Sequence, residues 1–212
     1  MRSFVVTLGF HEDHVVRLLT SSGATRDDRV FVLTAKPAVP AVFRAFEGLR
    51  AYTLRAGIGE PRLVEVPPDL VSGVEAVLEV FRGGGEYVLE LSGGMRYLLI
   101  YTLIALLMSG REAQIHIYPE GGAAPEITIP RAVIGTLRKP PTEAELAVLR
   151  EVAKSPGITD EEIAQVLNKK VKTVKNTLTA LTRKGLAVRR GRRGGIYPTK
   201  WGELIAKYLF SP

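Results

Sequence analysis

Through the first 129 residues, short unbroken apolar runs alternate with longer stretches of helical period. Few architectures accept that pattern. Ser3–Leu8, Arg29–Thr34, Arg62–Val66, Tyr87–Leu91 and Glu112–Tyr118 read as strands. Between them His11–Ser22, Pro40–Leu54, Leu70–Phe81 and Met95–Met108 read as helices, with Asp69 placed as the N-cap of the third. Strands that are apolar on both faces and separated by helices of about a dozen residues pair in parallel, with helices covering both sides. The fold class is therefore α/β, a Rossmann-like, mostly parallel sheet, with Glu126–Ile129 as a last edge strand.

Sheets of this kind hold ligands beyond the C-terminal strand ends, near the switch in strand order. Two loops follow such ends: Thr7-Leu8-Gly9-Phe10-His11 after the first strand, and Ser92-Gly93-Gly94-Met95-Arg96 after the fourth. Two glycines at a helix entry let the backbone approach a ligand and expose N–H groups at the positive helix end. Arg96 adds a fork of donors for phosphate or a base edge. The same glycines also suit a plain tight turn with a solvated Arg96, and both readings stay open at this point. No G-x-G-x-x-G follows the first strand and no G-x-x-x-x-G-K-[ST] occurs, so neither a dinucleotide cofactor nor a P-loop is expected. His11 and His14 lie three apart, but with 3 histidines and 0 cysteines in all, no metal site is expected.

Charge divides the chain. Residues 1–138 carry 14 Lys/Arg against 15 Asp/Glu, whereas residues 139–212 carry 15 against 7, so the balances are −1 and +8. Two domains with different partners follow: residues 1–135 as the Rossmann-like unit, 136–141 as a linker holding Lys139-Pro140-Pro141, and 142–212 as a smaller basic unit. Thr142 with Glu145, and Thr159 with Glu162, are capping boxes that start two helices. A turn at Asn168–Lys170 leads to a third helix with Val171, Val174, Leu178 and Leu181 on its buried face. Gly185 ends it, Leu186–Arg190 and Ile196–Thr199 pair as a hairpin, and Trp201–Phe210 forms a last helix.

Between Glu162 and Glu203 there are eleven basic residues and no acidic one. Such a surface suits a phosphate backbone, whose neutralisation releases counterions. The candidate DNA contacts are Lys169, Lys170, Lys172, Thr173, Lys175, Asn176, Thr179 and Arg183 from the turn and third helix. Arg189, Arg190, Arg192 and Arg193 join them from the hairpin.

The stretches Ile163-Ala164…Leu167, Thr173-Val174…Leu178…Leu181…Lys184-Gly185-Leu186 and Tyr197-Pro198-Thr199-Lys200-Trp201-Gly202-Glu203-Leu204 resemble the winged helix-turn-helix domains of prokaryotic transcription regulators. One departure is Lys170, where that family commonly has a small polar cap. With Gly9-Phe10 and the Gly93-Gly94-Met95-Arg96 loop in the first half, the whole chain is similar to archaeal CRISPR-associated regulators. These fuse a CARF domain (CRISPR-associated Rossmann fold) to a winged helix. The resemblance implies a homodimer that holds a cyclic oligoadenylate, typically cyclic tetra-adenylate, across its two-fold axis. It implies that Thr7, Gly9, Phe10 and His11 line the base and ribose region, and that Ser92, Gly93, Gly94, Met95 and Arg96 hold ribose and phosphate. It further implies double-stranded DNA as partner and control of CRISPR-associated genes.

No catalytic residue is assigned. Some CARF domains cleave their own ligand, and Ser92, Arg96 and His11 could serve such a step, but no acid–base pair is visible. A regulator sensing another anionic metabolite is the remaining alternative. The longest apolar stretch, Tyr97–Met108, is about half of what a membrane span needs. With no cysteine and no signal peptide, the expectation is a soluble cytoplasmic protein.

Overall fold

The structure is a computed structural model that describes residues 1–119, 125–191 and 194–209. It divides into two compact units, residues 1–131 and 132–212. The first runs β1 (Arg2–Thr7), α1 (Asp13–Ser21), β2 (Arg29–Ala35), α2 (Pro40–Ala56), β3 (Pro61–Val66), α3 (Leu70–Val80), β4 (Glu86–Glu90), α4 (Arg96–Ser109), β5 (Ala113–Ile117) and β6 (Ile127–Ile129). The sheet order is β3-β2-β1-β4-β5-β6. The first five strands are parallel, and β6 closes the edge antiparallel to β5.

Burial explains the parallel pairing. In β1 all five residues from Ser3 to Thr7 are buried, so both faces must be covered. On one face Phe4, Val6 and Leu8 pack with Val15, Leu18 and Leu19 of α1 and with Val42 and Leu49 of α2. Side chains of this size each contribute about 1.5–3 kcal/mol on burial, so the inner strands have no reason to expose a face. α3 and α4 pack against each other, and Tyr97 and Tyr101 of α4 donate hydroxyl bonds to the carbonyls of Val66 (3.0 Å) and Pro68 (2.6 Å). Asp69 caps α3 by accepting the Ser72 amide at 3.0 Å.

The remaining elements are α5 (Arg131–Arg138), α6 (Glu143–Lys154), α7 (Asp160–Val166), α8 (Val171–Arg183), β7 (Ala187–Arg189), β8 (Ile196–Pro198) and α9 (Lys200–Tyr208). Both capping boxes form, since Thr142 and Thr159 each accept the third amide while Glu145 and Glu162 reach back. Asn168 takes φ 49° in the turn between α7 and α8, and Gly185 takes φ 68° after α8. Leu149, Val152, Ile163, Val174, Leu181, Leu186 and Ile196 form the core of a winged helix-turn-helix. Phe210, the expected end of the last helix, and the wing residues Arg192 and Arg193 lie outside the described residues.

α5 has no counterpart in the sequence reading, which begins a linker at residue 136. The stretch holds β-branched Val133, Ile134 and Thr136 around Gly135, a poor helix on propensity. Burial of Ile134 and Thr136 stabilises it instead. Only Lys139–Pro141 separate it from Thr142.

Candidate functional site

β1 has β2 on one side and β4 on the other, so the strand order reverses beyond their C-terminal ends. The two glycine-bearing loops meet at that point. A Cβ on Gly93 would lie 2.6 Å from the Thr7 carbonyl oxygen and 3.2 Å from the Gly9 nitrogen. One on Gly9 would lie 2.9 Å from the Gly94 nitrogen, and Gly94 itself takes φ 78°. These glycines therefore serve first to let the two loops touch backbone to backbone. Room for a ligand follows from that junction.

Over it opens a cavity of about 890 Å³. Its walls include Gly9, Phe10, His11, Ser92, Gly93, Gly94 and Met95, all expected from the sequence. Thr7 and Arg96 do not line it. Thr7 is fully buried and turns its hydroxyl to the Glu90 carbonyl at 3.4 Å, because its position in β1 points into the sheet packing. Thr7 thus meets the second loop through its own carbonyl. Arg96 is the first residue of α4 and is exposed, not one turn in.

The sequence reading missed the flanking walls: His14 and Arg17 from α1, Pro37 and Val39 after β2, and Tyr118 and Pro119 after β5. Only strand order brings those loops together. His11, Asp13, His14 and Arg17 make one side polar, with the Arg17 guanidinium as its cation, while Phe10, Met95, Pro37 and Val39 supply apolar walls. Arg17 lies over the Tyr118 ring, 5.2 Å from its centroid.

Glu90, the last residue of β4, was also missed. It is fully buried. Its Oε1 accepts the Ser92 amide at 2.8 Å, while Oε2 has no hydrogen-bond partner among the described residues. The Ser92 hydroxyl accepts the Tyr118 amide at 2.7 Å and so ties the β4 and β5 loops together. Burial pushes the Glu90 carboxyl up to about 7, against the lowering pull of its Ser92 contacts. A folded value above the ordinary 4.5 means that the native state keeps a proton the unfolded chain has lost. Stability should fall as pH rises from about 4.5 to about 7 and stay lower above. In urea titrations Glu90→Gln is expected to stabilise the protein by about 2–3 kcal/mol at pH 8 and by almost nothing at pH 4.

On the winged helix, α8 exposes Lys172, Thr173, Lys175, Asn176, Thr179 and Arg183, with Lys170 exposed at its N-cap and Lys169 half-buried. Lys170 makes no side-chain cap at the start of α8, and the Thr173 amide bonds the Lys170 carbonyl at 2.9 Å instead. Not every cation there is free. Arg189 bonds Asp160, a carboxylate only 5% exposed, and Lys175 stands 3.8 Å from Asp160 and 3.6 Å from Glu161. Arg190 lies over the Tyr197 ring at 4.5 Å. Lys184 is tied to Glu145 at 2.7 Å and belongs to the scaffold. Among the described residues, no group of three or more His, Asp or Glu could hold a metal, and no helix is long and apolar enough to cross a membrane.

The profile of the Csa3 CRISPR-associated Rossmann-like domain matches residues 2–130. The CRISPR locus-related protein Csa3 of Saccharolobus solfataricus, whose name describes it as DNA-binding, is 26% identical over 194 residues, 91% of this chain and 82% of its own. Two solved structures are also similar in part. Can2 from Sulfobacillus thermosulfidooxidans, in complex with cyclic tetra-adenylate, aligns with 97% of this chain and 63% of its own, with 11% identity and a TM-score of 0.40. FabT from Streptococcus pneumoniae, in complex with DNA, aligns with 34% of this chain and 54% of its own, with 28% identity and a TM-score of 0.31. This chain therefore spans less than two thirds of either structure. The profile match takes in every strand of the six-stranded sheet and both loops of the crevice, and the chain belongs to the Csa3 family of CRISPR-associated Rossmann-like proteins.

Proposed function

We propose that the protein is a homodimeric, DNA-binding transcription regulator of CRISPR-associated genes whose Rossmann-like domain senses a cyclic oligoadenylate, with cyclic tetra-adenylate as the ligand. The observation that carries this reading is the cavity at the β1–β4 switch point. It combines the N-terminal end of α4, the polar rings of His11 and His14 beside the Arg17 guanidinium, and apolar walls suited to bases. Csa3 of S. solfataricus, named as DNA-binding, supports the other half, as do the exposed cations and uncapped start of α8.

α4 supports the dimer. Ile100 (52% exposed), Leu107 (39%) and Met108 (66%) form an apolar stripe that the described residues leave exposed, and Arg96 starts the same stripe four residues before Ile100. Pairing two copies through this stripe would bring both Arg96 side chains towards the axis, where a two-fold ligand would meet them. Ile100→Glu with Leu107→Glu is expected to give a monomer in sedimentation velocity at micromolar concentration; a persisting dimer would move the interface elsewhere.

Ligand binding would bias the dimer towards one DNA-bound geometry. Fluorescence anisotropy of a labelled duplex from upstream of a CRISPR-associated gene cluster, with and without cyclic tetra-adenylate, tests this. A change of at least about fivefold in affinity is expected from a typical coupling. Identical curves would separate the ligand from DNA control.

A further inference from the structure

The Ser92 loop is held from below by a carboxyl group that the proposed ligand never touches. Glu90 lies at the end of β4 with no exposed surface, one oxygen on the Ser92 amide and the other without a partner among the described residues. Ser92 is the only link between this carboxyl and the cavity wall that the described hydrogen bonds show. We propose that Glu90 is a positioning residue that couples anion binding in the cavity to uptake of one proton per chain. This rests on the reading of the cavity as a site for an anionic cyclic nucleotide.

Two effects act in the same direction. An ionised Glu90 draws the Ser92 amide to itself and withholds it from a phosphate on the loop. Its charge, buried where screening by water is weak, also opposes a second negative charge above it. A proton on Glu90 removes the charge and loosens the hold on Ser92. The free protein's carboxyl sits at about 7 because of burial. A bound anion should raise it further, so binding takes up a proton above pH 7. Affinity is then greatest below about 7 and falls as pH rises through it.

Other charged groups approach the same place and must be separated from Glu90. β1 contributes Thr7, whose hydroxyl meets the Glu90 carbonyl, and no charge. β5 contributes His116, the register partner of Glu90, whose Nδ1 is bonded to Glu126. Tyr118 follows β5; burial, then the Glu126 and Glu90 charges, hold its phenol above the ordinary range. α1 and the loop before it contribute His11, Asp13, His14 and Arg17 on the cavity wall. Because these other ionisable side chains share the cavity wall, a pH trend alone does not identify Glu90.

The experiment is calorimetry of the full-length protein with cyclic tetra-adenylate from pH 6 to 8.5, for the native protein and Glu90→Gln. Each pH is run in two buffers of different ionisation enthalpy, which counts protons taken up. The native protein is expected to lose about a hundredfold in affinity between pH 7 and 8.5, about tenfold from each of the two chains that share a ligand, with uptake approaching two protons per ligand near pH 8. Glu90→Gln is expected to bind with a nearly flat profile above pH 7 and without those protons. His11→Gln with His14→Gln should keep both. Native binding with no uptake above pH 7, or a Glu90→Gln profile that follows the native one, overturns the coupling and leaves the ligand assignment standing. No binding by the native protein at any pH overturns the ligand assignment, and the coupling with it.

Discussion

Gly93→Ala is expected to lower stability by about 2–3 kcal/mol and affinity for cyclic tetra-adenylate by at least about a hundredfold. The added methyl would lie 2.6 Å from the Thr7 carbonyl oxygen and 3.2 Å from the Gly9 nitrogen. Both obstacles are backbone, anchored by a strand buried on both faces, so neither can swing aside as a flexible side chain would. Overpacking of this kind typically costs 1–3 kcal/mol, and the least costly relief is to push the two loops apart. That separation would displace the donors meant for the ligand, and a shift of about 1 Å at a built site is costly. Gly84→Ala is the matched control, since its Cβ would meet nothing within 4 Å. It should leave urea midpoint and affinity unchanged. A Gly93→Ala protein that binds normally would show that the loop junction does not shape the site.

The second large effect concerns the winged helix. Removing the charges of Lys170, Lys172 and Arg183 together is expected to weaken binding to a 30-base-pair duplex by about two to three orders of magnitude near physiological salt. The dependence of log K on log salt should flatten by about 2–3 for each chain bound, since each phosphate neutralised adds about 0.9 to that slope. These three side chains form no ion pair among the described residues, whereas Lys175 and Arg189 already face Asp160. Lys175→Ala alone should therefore cost less than Lys172→Ala alone, although both are exposed on one helix. Fluorescence anisotropy at four salt concentrations reads both quantities. An equal loss from the two single variants would mean that the Asp160 pairing dissolves on DNA.

The contrast between Lys172 and Lys175 also shows where the sequence stops being legible. Every strand and nearly every helix could be placed from apolar runs and caps, because the inner strands β1, β2 and β4 are buried over most of their length and so mostly apolar. The charge count likewise marked the basic unit. It could not show which cations are spent on partners: Asp160 lies far from Arg189 in sequence and meets it only through the fold. The cavity behaves the same way. Its floor was readable, because Gly9 and Gly93-Gly94 directly follow strands. Its flanks, from Pro37 to Pro119, depend on strand order, which local pattern does not encode. Thr7, named from its place in the loop, has its side chain turned away from the cavity because alternation along β1 carries it into the packing. Glu90 left a signal that was passed over, a lone acid in the apolar run Tyr87–Leu91. α5 left almost none, being eight residues long and stabilised by what it packs against rather than by its own propensity.

One titration tests the central claim most directly: calorimetry of the full-length protein with cyclic tetra-adenylate, with linear tetra-adenylate as control. The account expects one cyclic ligand for every two chains, and much weaker binding of the linear form, which lacks the two-fold closure. One ligand per chain, or no binding at all, would contradict it and leave a Csa3-family winged-helix protein whose cavity holds a different ligand.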